Sequence, residues 1–376
     1  MPRLPAEFAD RELGRQLLHS PSLTAAPGGS RVTITILAPM NSHADDSRRL
    51  RPTVRAGWMD YWQRTITPPD LSTCAPAGTV DDPVRMSYHA TMCTVQTPAL
   101  KKAVTVARRL WLASSPRSEG PLHLALDGPG ETGMTTALRQ IGRAFEGIIS
   151  SQLPSDPHRV SVIHINTPLS PGSKVDWSLP FAEFLSLLPS KAPETPQRSA
   201  DMTGPVCHVI KTRGTRLVLV DGIDRLDNSE IKTAFDYFGY LASEYQISFV
   251  YCGVGARDIA DAARRGKRAG APRGGAGGIP TLAVNPIPYS AEEYGTWHEV
   301  IKSFDQNLRL HHHSPGDLLD LAAHLHERTG GYMKPLSYIV CQAAQEAIES
   351  GTEAITKELL DDQLVGRFAD DPILQI

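Results

Sequence analysis

Three features are scarce in this chain, and each shortage closes off a class of protein. The five cysteines, Cys74, Cys93, Cys207, Cys252 and Cys341, are scattered and include no CxxC pair. Paired spacing is what a zinc site or a disulfide-stapled secreted fold requires, so free thiols in a reducing cytosol are expected instead. Long apolar runs are missing: no stretch approaches the roughly 18 residues that a membrane-spanning helix needs. The opening residues MPRLPAEFADRELGRQLL hold no apolar core of secretion-signal length, so the expected location is the cytoplasm. An excess of charge of one sign is also missing. Against 38 Lys and Arg stand 41 Asp and Glu, a net charge of −3, so no global basic field draws in nucleic acid and any DNA contact needs a local patch.

Glycine and proline are plentiful, at 30 each, and cluster in the N-terminal stretch and in residues 266–280. Residues 1–85 carry little periodicity. Val32, Ile34 and Leu37 fit one short strand, and Trp58, Tyr61 and Trp62 form an isolated aromatic cluster that fits a small docking helix. The rest is Pro, Ser, Asp and Arg, too polar to bury enough surface to order itself, so residues 1–85 are expected to be a weakly ordered arm.

From Tyr88 onward strands and helices alternate. Thr97 and Pro98 suit a helix cap and first helical position, with Leu100, Val104, Ala107, Leu110 and Trp111 as its apolar face. Short apolar runs at 122–126, 160–165, 217–220, 247–252 and 281–284 read as strands, separated by helices at 134–149, 177–188 and 230–242. That alternation implies a doubly wound α/β sheet with ligands at the carboxyl ends of its strands. Residues 256–280, rich in Arg, Ala and Gly, read as a flexible basic loop. From Ser290 the chain is helical. Ser314-Pro315-Gly316-Asp317 reads as a serine-capped helix start, Gly330-Gly331 as its end, and helices follow at 336–348 and 356–364. The expected organisation is an arm at 1–85, an α/β core at 86–285, a helical lid at 286–368 and a tail at 369–376.

The chemistry concentrates at Gly128-Pro129-Gly130-Glu131-Thr132-Gly133-Met134-Thr135-Thr136. Strand, glycine loop and helix is the P-loop arrangement, in which backbone N–H groups and a helix N-terminus cradle phosphate. Gly128 and Gly133 stand at the two glycine positions, and Thr135 at the hydroxyl position that reaches Mg²⁺. The lysine position holds Met134. A hydrogen bond to a charged partner contributes roughly 1.5–3 kcal/mol, so this loss is expected to weaken triphosphate binding about 10- to 150-fold.

The strand LVLVDG ends in Asp221, the acid such a fold uses to hold Mg²⁺. The next position, where a hydrolysing ATPase usually carries a glutamate that orients the attacking water, is Gly222. Asp224 is the nearest substitute catalytic acid. Lys334, after the paired glycines of the lid, is a candidate to face the γ-phosphate. The basic loop at 257–273 is a candidate for phosphates of DNA or of a neighbour's nucleotide. His311-His312-His313 reads as a solvated end rather than a metal site, since no second ligand cluster has suitable spacing.

In the order GPGETGMTT, LVLVDGIDRL, ISFVYCGVG, PIPY…W and RTGGYMKPLSYIVCQAAQEAI, with YHATMCTVQTPAL leading in, residues 86–365 resemble the TniB/TnsC/IstB-type AAA+ ATPases of transposition, nearest the TniB-like proteins. The resemblance implies a P-loop AAA+ three-layer core with a parallel sheet and a small helical lid. It also implies ATP and Mg²⁺ at Gly128 to Thr136 and Asp221, assembly into oligomers on DNA, and a transposase partner. The chain departs from that pattern at Met134, at Gly222, and at Gly277-Gly278-Ile279-Pro280, where family members tend to carry an Arg-Phe pair. Three losses at positions serving ATP use imply a degenerate ATPase. Such a chain would act as a regulator or scaffold beside a transposase-like protein or an intact AAA+ homologue. An active ATPase with substitute residues and a nucleotide-free interaction module are the alternatives. Adenine and guanine are not distinguished by these motifs.

Overall fold

The computed structural model describes residues 35–36, 50–79, 82–90, 93–114, 121–152, 156, 158–169, 175–188, 201–265, 279–290 and 294–363. The predicted tail at 369–376, most of residues 1–49 and the glycine-rich part of the basic loop lie outside them.

Five parallel strands form the central sheet: β1 (Leu124–Asp127), β2 (Val162–Asn166), β3 (Leu217–Asp221), β4 (Ser248–Gly253) and β5 (Thr281–Ala283). Their spatial order is β2-β3-β4-β1-β5. Parallel strands need crossovers, and helices supply them, so β1 to β4 are buried along nearly their whole length, while the edge strand β5 alternates exposed, buried and exposed. Leu217, Val218, Leu219 and Val220 of β3 are all fully buried. The glycine loop leaves β1 between β4 and β5, and the helix after it, α4 (Met134–Gln152), lies across the sheet with Leu138, Ile141 and Phe145 inward.

Three further helices precede the sheet: α1 (Arg55–Gln63), α2 (Pro83–His89) and α3 (Pro98–Ser114). The Thr97 hydroxyl accepts from Leu100 N at 3.2 Å, the predicted cap of α3. Helices α5 (Ser178–Phe184), α6 (Thr203–Arg213), α7 (Asn228–Tyr245) and α8 (Ala256–Arg265) accompany the sheet. After β5 come α9 (Tyr294–Asp305), α10 (Asp317–Asp320), α11 (Ala322–Thr329), α12 (Met333–Glu349) and α13 (Lys357–Asp362). Two apolar clusters result, one around the sheet and one among α9 to α13; Val284 belongs to the first and Ile287 to the second.

Four expectations are corrected. The first is the extent of the arm: residues 50–79 and 82–85 are placed in the fold, and the aromatic cluster forms the docking helix α1. Trp58 of α1 is 1% exposed in the main core, and Gly142 of α4 leaves it room: a Cβ there would lie 2.6 Å from the indole. Secondly, α2 packs on the lid cluster rather than the sheet, with Arg85 fully buried against Asp82 and Glu353. Thirdly, residues 256–265 are helical. Ala256, Ala260 and Ala263 recur at helical spacing and are buried, and the Asp127 carboxylate accepts from Gly255 N at 2.9 Å beside the helix start. Fourthly, α10 is capped by Asp305 and not Ser314: its carboxylate accepts from Gly316 N and Leu318 N at 3.0 and 3.1 Å. The same carboxylate takes His313, whose side chain is 6% exposed with Nε2 3.1 Å away, so that histidine is not solvated.

Candidate nucleotide site

The glycine loop runs from Gly128 to Gly133 at the carboxyl ends of β1 and β4. Gly128 is forced by close approach, since a Cβ there would lie 2.1 Å from the Val284 carbonyl oxygen. Gly133 has φ +95°, which side-chain-bearing residues rarely adopt. Between them the Thr132 hydroxyl donates to Pro129 O at 2.9 Å and tightens the turn. Glu131 also takes a left-handed conformation, φ 66°. The chain thus adopts a cradle that opens onto the N-terminus of α4, the place where N–H groups of a loop and helix can meet phosphate oxygens.

Met134 is 8% exposed and belongs to the apolar core, so its side chain completes packing and offers the cradle no charge. Thr135, one residue on, donates its hydroxyl to Asp221 Oδ1 at 3.0 Å. Both are oxygen donors of the kind Mg²⁺ takes, and their approach across 86 residues of chain fits them as a pair that would hold it. Burial pushes the Asp221 carboxyl up, but His164, Arg139 and Thr135 outweigh it and hold it below its usual range. It is therefore ionised at neutral pH.

Two contributors escaped sequence reasoning. His164 of β2 is fully buried, with Nε2 3.9 Å from Asp221 Oδ2, and burial holds the imidazole below its ordinary pKa. Arg139 lies one helical turn beyond Thr135 on α4 and acts on Asp221 by its charge. A histidine in the middle of the apolar stretch VIHIN was the available signal for the first; nothing in the helical pattern marked the second.

Gly222 follows Asp221 with φ +71°, so the chain turns through a left-handed residue where a hydrolysing site would carry glutamate. That turn brings Asp224 onto β4: a Cβ on Gly253 would lie 2.2 Å from Asp224 Oδ1. Asp224 is thus placed at the strand ends, close to Asp221 in the sheet order, and Gly253 has no side chain because Asp224 takes the space. Across the loop, Lys334 of α12 donates from Nζ to Glu131 Oε1 at 2.8 Å and from its backbone N to Glu131 O at 3.0 Å. The structure therefore gathers Gly128 to Thr136, Asp221, Asp224 and Lys334 in one region. His311 and His312 lie elsewhere, bonded to Ala75 O and Thr352 O, and no metal-holding group of His, Cys, Asp or Glu occurs among the described residues.

A phosphate-type loop after β1, an acid at the end of the adjacent-but-one strand β3, and a helical lid after β5 give a P-loop α/β core with a helical lid, the layout of an AAA+ fold. No protein-family model matches the chain, and no curated protein matches it. Among solved structures it is similar to the Orc1 protein of Aeropyrum pernix in complex with DNA. That match has 17% identity over 71% of this chain and 64% of the other, with a TM-score of 0.48. Cdc6p from Pyrobaculum aerophilum matches at 15% identity over 70% and 66%, TM-score 0.45. Domain III of the Thermotoga maritima replication initiation protein DnaA matches at 11% over 70% and 90%, TM-score 0.40. The chain thus spans just under two thirds of the Orc1 and Cdc6p chains. No helix among the described residues is long and apolar enough to cross a membrane.

Proposed function

We propose that this chain is a TniB-like AAA+ protein acting as a regulator or scaffold in the choice of transposition targets, with a weakened ATP and Mg²⁺ site that has lost fast hydrolysis. The observation that carries the reading is that the departures are built into the fold. Met134 is packed into the core, and Gly222 occupies a backbone conformation in which glutamate is strained. The glycine turn at 128–133 and the contact between Thr135 and Asp221 support a nucleotide and metal site there. A cytoplasmic oligomer is the natural setting, in which this subunit lends surfaces to an intact AAA+ homologue or a transposase-like partner. The basic segment 257–273 is its candidate DNA contact, with Arg257 exposed at the start of α8.

Calorimetric titration with ATP and Mg²⁺ tests the reading. Met134→Lys restores the missing cation on a long stem that can remain packed while its head reaches the loop. It is expected to bind about 10- to 150-fold more tightly than the wild type. Equal affinity of the two would defeat the reading of 128–136 as a phosphate cradle.

One observation favours a second reading, an active ATPase: Asp224 is seated against Gly253 at the strand ends. If Asp224 orients the attacking water, Asp224→Asn lowers turnover about 10²- to 10⁴-fold while ATP affinity holds. Turnover unchanged in that variant, or absent from the wild type, rules the second reading out.

A further inference from the structure

Lys334 of the lid is already the candidate to face the γ-phosphate; we propose that the Glu131 carboxylate is a built-in competitor, occupying that lysine until an anion in the cradle takes its place. The inference rests on the reading of residues 128–136 as a phosphate cradle, and it concerns how that cradle is controlled. The usual position for the cation is Met134, which is buried. The start of α12 rests directly on the loop instead. Lys334 bonds Glu131 through both its backbone and its side chain, and a Cβ on Gly133 would lie 3.8 Å from that of Met333. A positively charged side chain is therefore already tethered at the loop.

Glu131 is what holds it. Its left-handed backbone, unusual for a residue with a side chain, places a carboxylate at the apex of a loop whose shape suits anions. The side chains of Glu131 and Lys334 are 45% and 65% exposed. Water screens such a pair and leaves it weak and readily exchanged. A polyphosphate brings more negative charge than one carboxylate, and its oxygens match the same donors. Carboxylate and phosphate thus compete for one ammonium group, and the winner sets what α12 is fastened to. While Glu131 holds Lys334, α12 is fastened to the loop itself; when phosphate takes Lys334, α12 is fastened to the ligand.

Four proteins test this: wild type, Glu131→Gln, Lys334→Gln and the double variant, each titrated with ATP and Mg²⁺ and with inorganic tripolyphosphate. Glu131→Gln is expected to tighten both ligands about two- to fivefold, the scale of an exposed ion pair. Lys334→Gln is expected to weaken both about tenfold, and in that background the gain from Glu131→Gln disappears. Without ligand, amide exchange in the first turn of α12 is expected to be faster in Glu131→Gln. A gain of equal size with and without Lys334 would make Glu131 a simple repulsive charge and overturn the exchange. Glu131→Gln no tighter than wild type, while Met134→Lys binds, would overturn it and leave the cradle standing. If Met134→Lys is silent as well, the cradle itself is wrong and this inference falls with it.

Discussion

Arg85→Ala is expected to lower the free energy of unfolding by about 3–5 kcal/mol, the range for breaking a fully buried ion pair from one side. Arg85 and Glu353 are both 0% exposed, and their guanidinium and carboxylate meet in two parallel bonds of 2.6 and 2.9 Å. Nε bonds Asp82, itself 3% exposed, at 2.7 Å. Removing the arginine leaves two buried carboxylates facing an apolar gap. Glu353 also accepts from His311 N at 3.1 Å, and its own backbone is left-handed at φ 55°, so the loop after α12 is shaped around this contact. Urea unfolding at neutral pH measures the loss.

The same cluster gives the loss a pH signature. Burial raises the Asp82 and Glu353 carboxyls, but Arg85 outweighs it and holds both below their usual range. Groups with depressed pKa values contribute stability at neutral pH that is lost as pH falls through the folded-state value. His89, on the same helix, is pushed down to about 3 by burial, so it stays neutral in the fold while the unfolded chain takes up a proton below about 6.5. All three act in one direction, and wild-type stability falls on acidification from about pH 6.5. In Arg85→Ala the carboxylates have lost their cation and protonate more readily, so the gap between variant and wild type narrows below about pH 4. A gap that stays constant from pH 7 to 4 would mean the arginine acts by packing alone.

The loop and the sheet were legible because their signals are local. Gly128 and Gly133 are spaced as a phosphate turn requires, and LVLV and SFVYC are too short and too apolar to be anything but buried strands. What was not legible depends on partners far away in the chain. Arg85 and Glu353 are 268 residues apart, and each alone reads as a surface charge. Trp58 looks stranded in polar sequence until Gly142, on a helix predicted for other reasons, is seen to leave space for its indole. Helix α8 was hidden by composition: Arg and Ala run into a glycine-rich stretch, so the spacing of Ala256, Ala260 and Ala263 was outweighed by its surroundings. At the site itself, the glycine at 222 announced a missing glutamate. That it also bends the chain and seats Asp224 against Gly253 follows from a positive φ that sequence does not display.

Trp58→Ala is the other large change expected, at about 3–5 kcal/mol for emptying a buried tryptophan site. Its indole packs tilted on Tyr61, with ring centres 5.7 Å apart, and edge-on to His164 at 5.8 Å. Nε1 donates to Glu146 Oε1 at 3.2 Å, so the buried polar group is paired. Glu146 is raised by its own burial and depends on that donor. Trp58→Phe keeps most of the packing and removes the N–H, so it is expected to lose about 1–3 kcal/mol, less than alanine. The effect also reaches Asp221, the acid proposed to hold Mg²⁺. His164 is kept neutral chiefly by burial, and Trp58 is part of what buries it. Opening that wall in Trp58→Ala should let the His164 pKa rise toward its ordinary value, measured by NMR of the imidazole. A protonated His164 would place a positive charge 3.9 Å from Asp221, in competition with Mg²⁺. Metal affinity measured below about pH 6.5 should therefore fall more steeply in Trp58→Ala than in the wild type. If the His164 pKa stays where it is, α1 covers the sheet without tuning the site. If it rises, α1 sets the charge beside the acid proposed to hold the metal.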